Sequence, residues 1–290
     1  MEIIVVIGRL LFSSFANVFQ KKLAHNGLHP FFIVMASYLV LGIICLPLLW
    51  AINPTQLNIT FWINIFFAAL LDMAGTLFLV MSLSKTDLSV FGPLNAYKIV
   101  ISMLLAMLFL GEIPNFQGIV GVAVIVIGSF FLFPFSGGAS TRKLLHLFSE
   151  KGVQYRFLSI LLFSVGTLPL KNAVVSGGPL ETTIFWCLIG FPFAVIVHTF
   201  FLKDNFSKDF KNSRDRVYSF LYLGILIFLM QYMTMLVFSQ MLIAYSLALF
   251  QLGMVLQVFL GYKIFNEGHL FRRLLTSLVM VAGSLLVLNA

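Results

Sequence analysis

Polar residues in this chain come in short clusters, and between the clusters the sequence runs apolar for about twenty residues at a time. A helix that crosses a bilayer needs roughly 20 consecutive apolar residues. The pattern therefore predicts spans at 3–22, 30–52, 60–83, 88–110, 116–135, 157–176, 180–202, 217–241, 243–265 and 270–289. Strands of a membrane barrel would alternate apolar and polar residues over about ten positions, and stretches such as Ile119 to Phe135 lack that alternation. The first span reads as a mature helix and not a signal peptide, because Arg9 interrupts it and Lys21 and Lys22 follow it.

Composition agrees: 60% of residues are hydrophobic, 10% charged, and the mean hydropathy is +1.04, against about 25% charged in a soluble domain. A water-soluble fold is excluded. The formal charge of +8 would suggest nucleic acid in a soluble protein; here it belongs to loops, and no nucleic-acid partner is expected. Of the 18 Lys and Arg residues, all but Arg9, Lys98 and Lys171 fall in loops on one side of the predicted membrane. Loops rich in Lys and Arg stay cytoplasmic, so both termini are expected outside, in a multi-pass protein of the cell membrane, the bacterial inner membrane being the expected one. Cys45 and Cys187 fall inside apolar spans at unmatched positions and read as small buried hydrophobes.

The chain repeats itself. Laying 88–133 on 243–288 brings Glu112 to Glu267, Phe116 to Phe271, Val124 to Val279 and Gly128-Ser129 to Gly283-Ser284. A second offset places Leu10-Leu11-Phe12-Ser13 on Leu161-Leu162-Phe163-Ser164 and Gly27 on Gly178. Five helices per repeat invert the second copy relative to the first. The fold expected is thus an all-α polytopic membrane protein of about ten transmembrane helices in two inverted five-helix repeats, 1–135 and 157–290, joined by a linker loop at 136–156. Inverted repeats place a site near the bilayer midplane and rock about it.

The run Leu110-Gly111-Glu112 closing the fourth helix, then Gly118, Gly121 and Gly128-Ser129 in the fifth, resembles the five-helix unit of the EamA-like family of the drug/metabolite transporter superfamily. Leu23-Ala24 before Gly27-Leu28-His29-Pro30, and Leu46-Pro47-Leu48, are similar to the same unit. The resemblance implies a ten-helix carrier of amino acids, nucleotide sugars or other metabolites, with no cofactor and no enzymatic activity. Two features depart from it: Asn266 stands where the first copy has Gly111, and the charge count puts outside the termini that family members place in the cytoplasm.

Ionisable side chains at the centre of a span cost about 2.5–3.5 kcal/mol on insertion scales, and so face a bundle interior or a wet cavity. Arg9, Ser13, Asn17 and Gln20 form one helical stripe, answered in the sixth helix by Ser164, Thr167 and Lys171. Asn95, Lys98 and Ser102 form another in the fourth helix, matched in the ninth by Phe250, Gly253 and Gln257. Asp72 and Thr76 in the third helix, with Gln231 in the eighth, complete the candidate substrate-binding set, flanked by the aromatics Trp186, Tyr97 and Tyr245. Lys98 is either a binding residue or the structural partner of Asp72, and Asp72 is either that partner or a proton-binding carboxylate. Arg9, nearer a membrane face, is expected to snorkel outward. Glu112 and Glu267 read as surface caps of helix junctions, Pro93 and Pro169 as packed kinks or bends toward the cavity, and Gly118, Gly121 and Gly128 as a close-packing face.

No H-E-x-x-H, G-x-S-x-G or P-loop sequence occurs, and no filter-like polar loop suggests a channel. The expected function is secondary-active transport of an amino acid or other anionic or zwitterionic solute, because Arg9, Lys98 and Lys171 outnumber Asp72. Translocation of a lipid-linked intermediate is the alternative. Beyond a small-molecule substrate and membrane lipid no partner is expected, and a monomer is favoured over a dimer because both halves are fused.

Overall fold

A computed structural model describes residues 2–101, 104, 115–131, 149–202, 206–241 and 243–288, and all regular structure among them is helical. The helices are α1 Glu2–His25, α2 Pro30–Leu48, α3 Ile59–Leu83, α4 Leu88–Phe91, α5 Phe116–Phe130, α6 Lys151–Gly177, α7 Pro179–Leu202, α8 Phe206–Ser213, α9 Val217–Gln240, α10 Ile243–Gln251, α11 Gly253–Phe265 and α12 Leu270–Leu288. Six stretches among the described residues are long and apolar enough to cross a membrane: Ile3–His25, Pro30–Ala51, Ile59–Leu83, Lys151–Gly177, Pro179–Phe201 and Asp209–Gln240. Leu88–Ile101, Phe116–Gly128 and Leu249–Phe265 are shorter apolar helices. The motif at 110–112, with Glu112, Ser102 and most of the linker, lies outside the described residues. Lys151–Arg156, expected in the linker, form the first turns of α6.

Helix ends follow local chemistry. His29 Nδ1 accepts from Phe31 N–H and Pro30 opens α2, while Asn58 Oδ1 accepts from Phe61 N–H at 2.8 Å to start α3. Asn266 ends α11 in the left-handed region, φ 53°, a conformation that Gly, and after it Asn, adopts readily. That accounts for asparagine at this position.

The principal helix contacts cross between the two halves of the chain: α3 packs on α6, α1 on α9, α2 on α7, α4 on α11 and α5 on α12. The α5–α12 seam is tight. A Cβ on Gly128 would lie 3.1 Å from Met280 Cγ, and one on Gly283 would lie 2.9 Å from the Gly121 carbonyl oxygen. A large apolar cluster from α1, α2, α3, α6, α7 and α9 forms the core. Ile3, Ile7, Leu11 and Phe15 leave one face of α1 exposed, and Ile59, Ile63, Phe66 and Phe67 do so on α3; such apolar faces suit lipid.

Two predicted spans are broken rather than continuous. After α4 the chain turns at Gly92 into a 3₁₀ segment, Pro93–Ala96, closed by Asn95 N–H to the Gly92 carbonyl at 2.9 Å, and helix resumes at 97–101. Proline has no N–H to give an α-helix. In the second half, Leu252 separates α10 from α11 through bonds three residues apart. The breaks meet: Gln257 passes so close to Gly92 that a Cβ there would lie 2.9 Å from it. The bend expected at Pro93 is therefore a chain break, whereas α6 runs through Pro169.

Candidate functional site

A cavity of about 170 Å³ opens among α1, α2, α3, α6, α7, α9, α10, α11 and the segment after the Pro93 break. Of the predicted binding residues, Arg9, Ser13, Asn17, Asp72, Thr76, Asn95, Lys98, Gln231 and Gln257 line it. Lys171 does not. Its ammonium donates to the carbonyls of Phe238 and, at 3.0 Å, Met241, at the C-terminal end of α9, where a helix leaves carbonyls without partners.

Arg9 points inward, not to a membrane face. Its Nε donates to Thr234 Oγ1 at 3.4 Å and its guanidinium lies 3.8 Å over the Phe250 ring, and cation–π contact gives the charge an apolar seat. Among the described residues Asp72 and Lys98 form no ion pair. Asp72 Oδ2 instead accepts the Trp186 indole N–H at 2.9 Å, and Oδ1 occupies the space that Gly166 of α6 leaves open. Lys98 stays in the cavity within Coulombic reach of Asp72, Arg9 and Arg156. Trp186 flanks the cavity as expected. Tyr97 does not, its ring packing edge-on against Phe157 at 4.9 Å, and the Tyr245 side chain lies outside the described set. Ser164 is buried but off the cavity, while Thr167 lines it.

Arg156 is the charged lining residue that sequence reasoning missed. Assigned to the linker, it is 4% exposed, donates from Nη2 to Asn95 Oδ1 at 2.9 Å and lies 3.9 Å over the Phe91 ring. The signal was available in periodicity: Arg156, Ile160, Phe163, Thr167 and Leu170 line the cavity at alternating spacings of four and three, one face of a helix. Asn95 in turn donates to Gln251 Oε1 at 3.3 Å, so a polar chain joins the two broken helices across the cavity.

One residue beyond Gln20, a buried ionic cluster ties the Lys- and Arg-rich ends of the helices together. Glu267, expected at the surface, is 7% exposed. It accepts from Lys21 Nζ at 2.8 Å, from the N–H groups of Leu88 and Ser89 at 2.7 and 2.8 Å, and from the Ser89 hydroxyl. It does cap a helix start, that of α4, but across the molecule from α11. Arg273 stands 3.6 Å from its other oxygen and pairs with Asp87 at 2.8 Å. Burial by itself would raise the Glu267 carboxyl; the hydrogen bonds from Lys21 and Ser89 outweigh it and hold the group below the usual carboxylate value. Lys21, Arg156 and Arg273, expected among the loop charges, are thus buried. Cys45 and Cys187 are buried free thiols, and they are neighbours between α2 and α7. Among the described residues no three His, Cys, Asp or Glu side chains gather as a metal site would need.

Residues 1–133 match the model of the EamA-like transporter family. No curated protein matches the chain. A solved structure described only as "Crystal structure of protein" superposes with a TM-score of 0.64 at 11% identity, covering 98% of this chain and 94% of that one. At that identity the likeness concerns the fold alone, and it extends over both halves.

Proposed function

We propose, starting from the match of residues 1–133 to the EamA-like transporter family, that the chain is a secondary-active carrier of a small anionic or zwitterionic metabolite. It works by alternating access between two inverted five-helix repeats, 1–135 and 157–290. The observation that carries this reading is a cavity lined by polar and cationic side chains from both halves of the chain, inside a bundle whose outer faces are apolar. The pairing of α1 with α9 and α3 with α6, and of α2 with α7, α4 with α11 and α5 with α12, supports the repeat, because a twofold relation exchanges the first two pairs and maps each of the others on itself. Discontinuous helices meeting at a central site are the usual place for substrate in inverted-repeat carriers.

The test is counterflow in proteoliposomes with amino acids, organic acids and sugar phosphates. Saturable exchange of one of these solutes is expected, reduced at least about tenfold in Lys98→Ala, a loss equivalent to roughly 1.4 kcal/mol. Exchange of a lipid-linked sugar or phosphate alone would replace this reading with that of a translocase, and a cavity of about 170 Å³ would then have to open sideways to lipid.

A further inference from the structure

Among the described residues three cationic side chains face the cavity, Arg9, Lys98 and Arg156, against one carboxylate, Asp72. Asp72 offsets one of them; two positive charges stay uncompensated. Neither guanidinium has a carboxylate within 4.0 Å among the described residues. Arg9 bonds Thr234 and Arg156 bonds Asn95, neutral partners that satisfy N–H groups without neutralising charge, and among the described residues the buried Arg156 Nε has no hydrogen-bond partner. A buried charge without a counter-charge is costly unless something supplies one.

We propose that the cavity selects a small dianion, a dicarboxylate or a phosphate monoester, over a zwitterion, with Arg9 and Arg156 each holding one end or one face of it. The proposal rests on the carrier reading above and narrows it. One guanidinium comes from each half of the chain, and the Asn95–Gln251 contact lies between them: Arg156 is bonded to Asn95, and Arg9 is stacked on Phe250, the neighbour of Gln251. A dianion bound to both therefore bridges the two halves. Guanidinium forks fit carboxylate and phosphate oxygens in pairs. A zwitterion fits poorly, because its ammonium would meet three cations and would need Asp72, whose Oδ2 already holds Trp186 and whose Oδ1 is pressed against Gly166.

Binding to the purified full-length protein at mildly alkaline pH tests this, using succinate, glycerol 3-phosphate, monoethyl succinate and alanine. Succinate or glycerol 3-phosphate is expected to bind at least about tenfold tighter than monoethyl succinate, which differs from succinate by one charge, and the better of the two identifies carboxylate or phosphate as the preferred group. Arg156→Gln should bring the dianion and the monoanion within about twofold, while Arg156→Lys keeps most of the preference. The comparison on the unaltered protein decides the matter even if a variant does not fold. Failure of both succinate and glycerol 3-phosphate to bind tighter than monoethyl succinate, or tighter binding of alanine than of either dianion, overturns the dianion assignment and leaves the carrier reading standing. Absence of binding and of counterflow for every soluble probe overturns both.

Discussion

Glu267 holds Lys21, Ser89 and the first N–H groups of α4 at once, so Glu267→Gln strands a buried ammonium. Removing one member of a buried pair costs about 3–5 kcal/mol, and a clear fall in the unfolding temperature in detergent is the expected result. The carboxyl is held below its ordinary value of 4.5. Its contribution is therefore complete above that pH and fades as pH drops through the lowered value. An unfolding temperature that is level above pH 4.5 and falls below it, with a shallower fall in the variant, is expected from thermal scans in a pH series. At the cavity, Trp186→Phe takes the donor from Asp72 and should cost about 1–3 kcal/mol of stability with the cavity charge unchanged, whereas Asp72→Asn keeps an acceptor for the indole but removes the counter-charge, so it should change solute affinity as well as stability. Thermal scans and binding on the same two preparations separate these effects. Individual polar residues were legible in the sequence wherever they stood deep in an apolar run, as Asp72 and Lys98 do. Arg156 and Glu267 were not, because each lies beside a polar loop and only a partner from a distant helix buries it.

Elements were read well where one helix crosses alone and less well where two must fit. The long apolar runs that became α1, α2, α3, α6, α7 and α9 carry their length in their composition. The breaks at Gly92–Pro93 and Leu252 differ in kind: proline announces the first, while nothing in Phe250-Gln251-Leu252-Gly253 forbids a continuous helix, and the meeting of the two broken helices decides the second. The glycine face on α5 was legible as a packing signal, and its mate on α12 is Gly283. Gly283→Val would drive a side chain into the Gly121 carbonyl. Overpacking of this kind costs about 1–3 kcal/mol, so the variant should unfold at a lower temperature, while Ala282→Val, exposed on the neighbouring face, should leave it unchanged.

At the scale of the molecule, the placement of positive charge predicts which loops face the cytoplasm. Thr55 and Asn212 lie on opposite ends of the bundle, both exposed. In intact cells an impermeant maleimide should label Thr55→Cys and spare Asn212→Cys, with both labelled after permeabilisation; the reverse pattern would place the termini in the cytoplasm, as the family resemblance implies. What suggests a repeat in the sequence is that the matched residues keep their order along the chain. Which helices touch was not legible, since contacts such as α1 with α9 and α3 with α6 depend on side chains far apart in sequence that fill each other's gaps.

Of the three tryptophans, Trp50 is 94% exposed at the end of α2, Trp62 is partly covered near the start of α3, and Trp186 is 4% exposed at the cavity wall. An indole's emission colour and yield respond to the charge and water beside it. Replacing Trp50 and Trp62 by phenylalanine would leave one fluorophore, hydrogen-bonded to Asp72, whose light follows the filling and emptying of the cavity without any added label.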